Sequence, residues 1–286
     1  MSKCYQIGSL FVLVCCFTSY SFGQQQRDSS KVLVEWVTLA PGLNWCETAA
    51  PYESKVGDSR LTIVKIDPKK VDFELFSATN IDRKPRTALE WSDSFALQVV
   101  FNAGMYDLSK PLISRGYLKA HEHINQAAIH PSFNAMLALH PTNNTSAPLV
   151  IFDLTCTPFT RFKQDYESYI QGLRMIDCAG QPIFWKKKQQ SCSMLVAAQD
   201  DAGSFYLLFS RSPYTHNEFI RMMLKLPFPI NTAIYLEGGP ETSLFVNLPH
   251  MQLHNVGSYV SSTYETDANC TFWPLPNVVG IRMKEH

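Results

Sequence analysis

Residues 233–241 read Ala-Ile-Tyr-Leu-Glu-Gly-Gly-Pro-Glu, an apolar run that ends in a carboxylate and two glycines. A short apolar run that is rich in β-branched and aromatic residues and bounded by turn residues is typical of a buried strand. Gly238 and Gly239 permit a tight turn and a close backbone approach directly after Glu237. A carboxylate delivered to a strand end in this way suits acid–base chemistry or hydroxyl recognition. An exposed glutamate on an ordinary turn explains the pattern equally well.

Residues 99–107, Val-Val-Phe-Asn-Ala-Gly-Met-Tyr-Asp, show a second apolar strand that stops abruptly at polar residues. Gly104 permits a backbone bend, and the amide of Asn102 offers a donor and an acceptor to a ligand. Asp107 supplies a reserve carboxylate at the end of the stretch. An Asx-type turn that closes the strand explains the spacing without a ligand, and the spacing alone favours that interpretation.

Residues 209–215, Phe-Ser-Arg-Ser-Pro-Tyr-Thr, are predicted to join a strand to a helix. Arg211, the hydroxyl of Ser210 and the free N–H groups at the helix start would together suit an anion such as phosphate. Turns of this composition also occur without any ligand, so the stretch alone does not decide between the two interpretations.

Another arginine interrupts an apolar run, Gln171-Gly172-Leu173-Arg174-Met175-Ile176. An arginine set among buried neighbours needs a partner for its charge. The partner is a phosphate in one interpretation and Glu237 or another carboxylate in the other. The internal ion pair is slightly favoured.

Strand composition dominates the rest of the chain, and few segments have the pattern of a helix. The clearest helix begins at Thr215, where Glu218 completes a capping box, and it ends before Pro227. A second helix is predicted over 161–171. The predicted strands are 32–39, 61–66, 73–77, 97–101, 149–152, 194–197, 205–209, 233–236 and 278–282. This pattern predicts an α+β fold, a single domain with a mixed, strand-rich sheet and a few packed helices.

The N-terminus has the pattern of an export signal, with a positive Lys3, an apolar run over 7–17 and small residues before position 24. We therefore predict a signal peptide over 1–23, a flexible leader over 24–31 and one domain over 32–286. Lipidation at Cys15 or Cys16 is disfavoured, because the residues before them are not the small ones usual there. The predicted location of the mature chain is periplasmic or extracellular.

Export permits disulfides, and cleavage before residue 24 would leave an odd number of cysteines, so at least one is unpaired. They are Cys46, Cys156, Cys178, Cys192 and Cys270. Their wide spacing without a CxxC pair argues against a structural zinc site. His121 and His123 would share one face of a strand, as two metal ligands must. No third candidate ligand lies at a spacing typical of a metal site. We predict no metal, and the cofactor requirement stays unknown.

The composition excludes several classes of protein. The 286 residues include 25 basic and 25 acidic side chains, so no net basic field attracts nucleic acid or an anionic membrane. No long apolar stretch follows the N-terminal run, so we predict no membrane span. The sequence contains no GxSxG elbow, P-loop or HExxH motif, which removes several common classes of hydrolase.

Taken in order, these stretches resemble the phosphodiester-glycosidase family, which is related to the mannose 6-phosphate uncovering enzyme, and in particular its secreted Bacteroidetes-type members. The family pattern has a strand that ends in Asn-Ala-Gly-Met-aromatic, an acidic residue before two glycines, and Pro-Asn-Val-Ile/Val-Gly near the end. The matching stretches are Asn102–Tyr106, Glu237–Gly239 and Pro276–Gly280, with similar stretches at 171–176, 210–214, 257–259 and 272–274. Most members carry Asp where this chain has Glu237, and many have Gly-Pro in place of Leu173-Arg174.

The resemblance implies a hydrolase that cleaves the glycosidic C–O bond of a sugar-1-phosphate diester and releases a sugar such as N-acetylglucosamine. Its partner would be a phosphorylated glycan or another sugar phosphodiester. Two alternatives remain open: a binder of an envelope glycan or glycopolymer that does not cleave it, and a phosphodiesterase that cuts the P–O bond on the same scaffold.

The resemblance also assigns the site residues. The predicted catalytic residues are Glu237, Asn102 and Asp107. The predicted substrate-binding residues are Gly104, Gln171, Arg174, Ser210, Arg211, Gly238, Gly239 and Asn277. Glu237 would act on the sugar as base, nucleophile or stabiliser. The two asparagines would position hydroxyl groups, and the two arginines would hold the phosphate.

Overall fold

The computed structural model describes residues 32–107, 109–144, 147–186 and 190–284. Strands β1 to β9 are Val37–Ala40, Leu43–Ala49, Arg60–Ile66, Val71–Ser77, Val99–Asn102, Tyr106–Asp107, Lys110–Ser114, Leu118–Ala120 and His123–Gln126. Strands β10 to β18 are Ala135–Pro141, Leu149–Asp153, Tyr166–Ile176, Cys192–Gln199, Phe205–Tyr214, Thr232–Gly238, Ser243–Leu248, Met251–Val256 and Asn277–Met283. Helices α1 to α3 are Ala78–Ile81, Ala88–Phe95 and His216–Met223, and single 3₁₀ turns lie at Phe159–Arg161 and Gly239–Glu241.

The described strands form an 11-stranded sheet, a five-stranded sheet and the separate pair β6–β7. The larger sheet has the order β1-β2-β3-β14-β13-β15-β12-β10-β11, with β8 paired to β12 and β9 paired to β8. The smaller sheet has the order β17-β16-β5-β18-β4. Every pairing between described strands is antiparallel, an arrangement that short turns can connect without crossover helices. The predicted α+β fold with a mixed sheet is therefore corrected to a mostly-β fold, which is strand-rich as expected.

Side chains from both large sheets form the main hydrophobic core. Phe205 of β14 contacts Phe73 of β4 with ring centroids 5.8 Å apart and Phe101 of β5 at 6.2 Å. Three smaller clusters lie beside it in the described part of the chain, and two of them include helix residues. Phe219 of α3 lies in the cluster on the larger sheet, and Trp91 of α2 lies in the cluster on the five-stranded sheet. Both large sheets thus bury two faces, which explains their continuous apolar runs.

The helix predicted from Thr215 is confirmed as α3, which begins at His216 with the Thr215–Glu218 capping box in place. The helix predicted over 161–171 is wrong, because Tyr166–Ile176 forms β12 with neighbours on both sides. Backbone pairing with β10 and β15 there decides the conformation against the local pattern. Helix α2 was not predicted, although its Thr87–Glu90 capping box carries the same signature as that of α3.

The predicted strands are present with shifted ends. The run over 32–39 becomes a strand only from Val37, and β14 continues five residues past Phe209 to Tyr214. Ser210 and Arg211 therefore lie within a strand, and the predicted strand-to-helix loop over 209–215 is corrected to the end of β14. Pairing of Cys192 with Tyr214 carries the ladder to that end.

Several predictions fall outside the described residues. They are the signal peptide, the leader and the lipidation sites at Cys15 and Cys16. Within the described part, Cys156 and Cys178 form a disulfide, Cys46 and Cys192 are buried thiols, and Cys270 is exposed. No helix among the described residues has the length and apolar character needed to cross a bilayer.

Candidate active site

Glu237 is the central residue of the candidate site. It lies one residue before the end of β15, opposite Leu195 of β13, and only 7% of it is exposed. The register between β13 and β15 shifts directly beside this pair. Such β-bulges re-aim side chains and are frequent next to active sites. A nearly buried carboxyl group therefore lies at an irregular strand end, which excludes the exposed glutamate that the sequence left open.

Burial and the negative charge of Glu241 raise the pKa of Glu237 from an ordinary 4.5 to about 8. The N–H of Gly238 donates to Glu237 Oε1 at 3.0 Å, and the positive charge of Arg115 acts in the same direction, towards a lower pKa. Neither offsets the desolvation of the charged form. In the folded chain Glu237 thus holds its proton at neutral pH.

Glu241 provides a second carboxylate on the turn that follows. Burial raises its pKa above the usual range. The turn needs glycine twice. Gly239 has φ +80°, and a Cβ at Gly238 would lie 2.1 Å from Tyr235 Oη and 2.8 Å from Cys192 Sγ. Only glycine fits both positions, so the Gly-Gly pair is what allows the two acidic residues to share one small region.

Tyr106 and Arg115 approach this region from another part of the chain. Burial raises the pKa of Tyr106, and the charges of Glu237 and Glu241 raise it further, so the phenol lies near both carboxyl groups. Arg115 is exposed, and its backbone N–H donates to Met105 O at 2.9 Å. Arg115 thus brings a positive charge close enough to act on Glu237.

Asn102 lies beside the turn that carries Glu241, and both ends of its side-chain amide form hydrogen bonds there. Its Nδ2 donates to the backbone oxygen of Glu241 at 3.0 Å, and its Oδ1 accepts the N–H of Ser243 at 2.7 Å. Asn277 begins β18, next to the pair formed by Val278 and Asn102. The Oδ1 atom of Asn277 is buried and has no hydrogen-bond partner within the described structure. A buried amide oxygen of this kind is suited to a water or a ligand hydroxyl.

Gly104 and Gln171 have contacts within the chain that explain their residue types. Gly104 has φ +88°, and a Cβ there would lie 3.2 Å from Ile170. The side chain of Gln171 accepts the N–H groups of Tyr117 and His130 and donates to the carbonyls of His130 and Phe133. Its amide therefore fixes the loops that flank Arg115. The substrate-binding role assigned to it stays a prediction.

The two arginines assigned to phosphate have internal partners. Arg174 Nη1 contacts both carboxylate oxygens of Asp153, at 2.7 and 2.6 Å, so its ion pair is with Asp153 and not with Glu237. Arg211 Nε contacts Asp267 at 2.8 Å, and its other nitrogens donate to backbone oxygens of Val256, Asp267 and Asn269. Ser210 Oγ donates to the carbonyl of Ser212 at 2.9 Å. Phosphate binding by these residues stays a prediction.

Asp107 lies at the end of β6, where Ser109 donates both its N–H and its hydroxyl to one carboxylate oxygen. These bonds hold the pKa of Asp107 below its usual range, and Lys110 and Arg115 lower it further. Asp107 is therefore a charged carboxylate near Arg115. Its catalytic role is untested.

Sequence reasoning missed Glu241, Tyr106 and Arg115 as site residues. Glu241 and Tyr106 lie in the two stretches that the sequence singled out, so the signal for them was position beside a glycine turn. Nothing in the sequence distinguishes Arg115 from the other charged residues of the chain. Only the tertiary structure brings it to Glu237.

His121 and His123, which the sequence pairs as possible ligands, do not share a site in the structure. His123 Nε2 lies 2.8 Å from Thr79 Oγ1, whereas His121 contacts Glu74 and Glu167. The two rings thus have separate partners. Glu74, His121 and His140 offer ligand atoms that all lie within 4.8 Å of one another.

A cavity of about 630 Å³ lies at the other end of β16, lined by Gln98, Asn247 and residues 248–252. Its lining contains no carboxylate, whereas the start of β16 adjoins the turn that carries Glu241. We therefore take the region around Glu237 and Glu241, and not this cavity, as the candidate active site.

No protein-family model and no curated protein sequence matches the chain. Among solved structures, it is similar to the catalytic domain of zebrafish N-acetylglucosamine-1-phosphodiester alpha-N-acetylglucosaminidase, auto-inhibited by its pro-peptide. The TM-score is 0.57 at 14% identity, over 89% of each chain. A hypothetical protein from Synechocystis has a TM-score of 0.57 at 12% identity, over 88% of this chain and 64% of that one. The chain thus spans less than two thirds of the Synechocystis protein. These similarities show a shared fold, and the activity has to be argued from the site.

Proposed function

We propose that the chain is an exported hydrolase that cleaves the glycosidic C–O bond of sugar-1-phosphate diesters. The observation that carries the proposal is Glu237, a buried carboxyl group whose pKa is raised to about 8 beside a second acidic residue, Glu241. Most glycosidases cleave the glycosidic bond with a pair of carboxyl groups, whose environments set different pKa values. The fold shared with a phosphodiester-cleaving glycosidase supports this choice of reaction.

The protonation state of Glu237 suits an anionic substrate. A phosphodiester carries a negative charge, and two ionised carboxylates would repel it. The proton on Glu237 removes one of those charges and provides an O–H donor for a phosphate oxygen. Arg115 adds a positive charge at the same region, which attracts the diester and stabilises the departing phosphate.

The raised pKa of Glu237 and the charge of Glu241 favour a division of roles between the two residues. Protonated Glu237 donates to the oxygen that leaves with the phosphate, and ionised Glu241 stabilises positive charge at the anomeric carbon or activates water. The C–O bond breaks, its electron pair leaves with the phosphate monoester, and water supplies the new sugar hydroxyl. This proposal makes Glu237 a proton donor, in place of the base, nucleophile or stabiliser that the resemblance implied.

The remaining polar groups suit recognition of the sugar. The free Oδ1 of Asn277 can accept a sugar hydroxyl, since it is buried without a partner among the described residues. Asn102 then serves the site indirectly, by holding the turn that carries Glu241.

An exported location rests on the N-terminal pattern and on the disulfide between Cys156 and Cys178. Disulfides persist in oxidising compartments outside the cytoplasm. Fusing residues 1–31 to a reporter enzyme and fractionating the cells tests this part separately from the chemistry.

The experiment is turnover of the purified chain on a panel of sugar-1-phosphodiesters, α-linked N-acetylglucosamine included, in ¹⁸O-labelled water. The variants are Glu237→Gln, which keeps the shape of the side chain, and Glu122→Gln as a matched control at an exposed glutamate. We expect labelled free sugar from the parent and the control, and none from Glu237→Gln.

Other outcomes would assign the site differently. Label in the phosphate would indicate a phosphodiesterase that cuts the P–O bond. Ligand binding without product, from a folded chain, would indicate a glycan binder. Full activity in Glu237→Gln would remove Glu237 from the mechanism.

A further inference from the structure

Three ligand-bearing side chains converge on one side of the molecule, away from the acidic turn. Glu74 lies in β4 at the edge of the five-stranded sheet, His121 follows β8, and His140 lies in β10 of the larger sheet. Their ligand atoms all lie within 4.8 Å of one another. We propose that Glu74, His121 and His140 bind a divalent zinc-type ion that bridges the two sheets. The proposal is independent of the proposed hydrolase activity.

The ligand atoms of the three side chains lie within about 0.5 Å of the separations expected around a zinc ion. Glu74 Oε1 lies 2.9 Å from His121 Nε2, and Glu74 Oε2 lies 3.7 Å from His140 Nε2. Ligand atoms at about 2.1 Å from a tetrahedral zinc ion are about 3.4 Å from each other. An ion placed between the three groups therefore requires only small side-chain rotations.

A second set of contacts orients the imidazole rings. Glu167 Oε2 lies 2.7 Å from His121 Nδ1, and Ser168 Oγ lies 3.0 Å from His140 Nδ1. Histidines that bind metals donate their other ring N–H to a carboxylate or another acceptor, which fixes the tautomer and raises the basicity of the ligating nitrogen. The carboxylate of Glu167 supplies this partner for His121.

Backbone conformation supports a specific role for both histidines. His121 has φ +50° and His140 has φ +59°. Left-handed backbone is uncommon for residues other than glycine, and its cost is tolerated mainly where the position of a side chain matters. His121 and His140 both have this backbone conformation, and their rings stack with centroids 4.4 Å apart, so the two side chains form one cluster.

Without a metal the same cluster is a hydrogen-bonded ion pair. His121 lies within hydrogen-bond distance of two carboxylates, with Nδ1 2.7 Å from Glu167 Oε2 and Nε2 2.9 Å from Glu74 Oε1. His140 Nε2 lies 2.6 Å from the carbonyl oxygen of Phe73. A metal ion would displace the proton between His121 and Glu74 and the proton that His140 shares with Phe73, so binding releases protons.

The donor set selects the ion. Two imidazoles and one carboxylate suit zinc and similar first-row ions, whereas calcium and magnesium prefer oxygen ligands. The side chains of Glu74, His121 and His140 are 29%, 42% and 20% exposed, so a fourth position faces solvent and takes a water molecule. The ion would join β4 of the smaller sheet to β10 and the end of β8 in the larger sheet.

The experiment uses the full mature chain after dialysis against a chelator. Zinc binding is measured by titration calorimetry and by the melting temperature, with calcium as the comparison ion. The variants are His121→Asn and His140→Asn, because asparagine tolerates left-handed backbone. His250→Asn, at an exposed histidine in the β16–β17 turn, is the matched control.

We expect one zinc ion per chain and a melting temperature raised by roughly 5–10 °C at a hundredfold excess over Kd. His121→Asn and His140→Asn should bind zinc at least 100-fold more weakly, while His250→Asn binds like the parent. Calcium should have no effect at the same concentration.

Equal zinc binding by the parent and both site variants would overturn the proposal, as would no binding by the parent. If the site variants fail to fold, X-ray absorption of the zinc-loaded parent decides. Two imidazole ligands support the site, and fewer than two overturn it. Lower stability of the variants with no effect of zinc on the parent would leave the cluster as an ion pair only.

Discussion

Asn102 holds the turn that carries Glu241. Its side-chain amide donates to the carbonyl of Glu241 at 3.0 Å and accepts the N–H of Ser243 at 2.7 Å, so both ends of the amide are used. Strand β5 of the smaller sheet thereby fixes an acidic turn at the end of β15 of the larger sheet. The position of the second carboxylate thus depends on contact between the two sheets.

Asn102→Ala should therefore loosen the acidic turn. Loss of the amide leaves buried backbone groups unpaired, which we expect to lower the free energy of unfolding by about 2–3 kcal/mol. Activity should fall because Glu241 is no longer fixed. Urea unfolding and turnover are the measurements, with Asn80→Ala at an exposed position of α1 as the control. Unchanged stability would show that the amide does not fix the turn.

Glu237 should make stability depend on pH. Its pKa is about 8 in the folded chain against an ordinary 4.5, so between these values the unfolded chain loses a proton that the folded chain keeps. Stability therefore falls as the pH rises through this range, by up to about 1.4 kcal/mol per pH unit. Glu237→Gln removes this contribution. Urea unfolding of both proteins at pH 5, 6, 7 and 8 should show the parent losing stability relative to the variant. Parallel pH profiles would contradict the raised pKa.

Glu241→Gln should shift the pH dependence of activity. The negative charge of Glu241 is the second cause of the raised pKa of Glu237, after burial, so its removal lowers that pKa. If Glu237 acts as the proton donor, activity in the parent declines as the pH rises past about 8. In the variant, the decline should begin at lower pH, and turnover should be reduced. The measurement is the pH profile of kcat/KM, compared with Glu122→Gln. If the alkaline limb of the kcat/KM profile does not move, the charge of Glu241 does not influence the pKa of Glu237.

Arg115→Gln should weaken binding of the anionic substrate. The guanidinium charge lowers the pKa of Glu237, so it lies close enough to act on a ligand held there. Loss of one charge-assisted contact corresponds to about a tenfold rise in KM. The variant should also raise the pKa of Glu237 further. Steady-state kinetics at two salt concentrations test this, with Arg161→Gln at an exposed arginine as the control. An unchanged KM would place the phosphate elsewhere.

Arg174→Met should destabilise the fold rather than alter substrate affinity. Only 1% of the Asp153 side chain is exposed, so the variant leaves a buried carboxylate without its ion-pair partner. Breaking such a pair costs about 3–5 kcal/mol. The double variant Arg174→Met/Asp153→Leu should recover part of that loss, with KM near that of the parent throughout. Normal stability with a strongly raised KM would instead assign Arg174 to the phosphate.

Local sequence predicted nine of the 18 strands in the described part of the chain and one of its three α-helices. Residues 278–282 were predicted as a strand, and β18 covers Asn277–Met283. The capping box at Thr215 located α3, whereas the run over 161–171 was assigned to a helix and forms part of a strand. The difference is physical. A capping box is satisfied within four residues, but β12 is stabilised by partners far away in the chain.

The candidate site divides in the same way. The strand that ends at Glu237 and the two glycines after it can be read from the sequence, because glycine and apolar composition act locally. The pKa of Glu237, the approach of Arg115 and the internal partners of the two arginines could not be read.

By itself, the sequence predicted half of the strands in the described part of the chain, with some ends shifted by up to five residues, and a carboxylate beside two glycines near one strand end. The tertiary structure alone decided which charges meet: Asp153 with Arg174, Glu241 with Glu237, and Glu74 with His121 and His140. The reason is that strand propensity and turn chemistry depend on neighbouring residues. Desolvation and charge–charge interaction depend on distances across sheets, which only the folded chain sets.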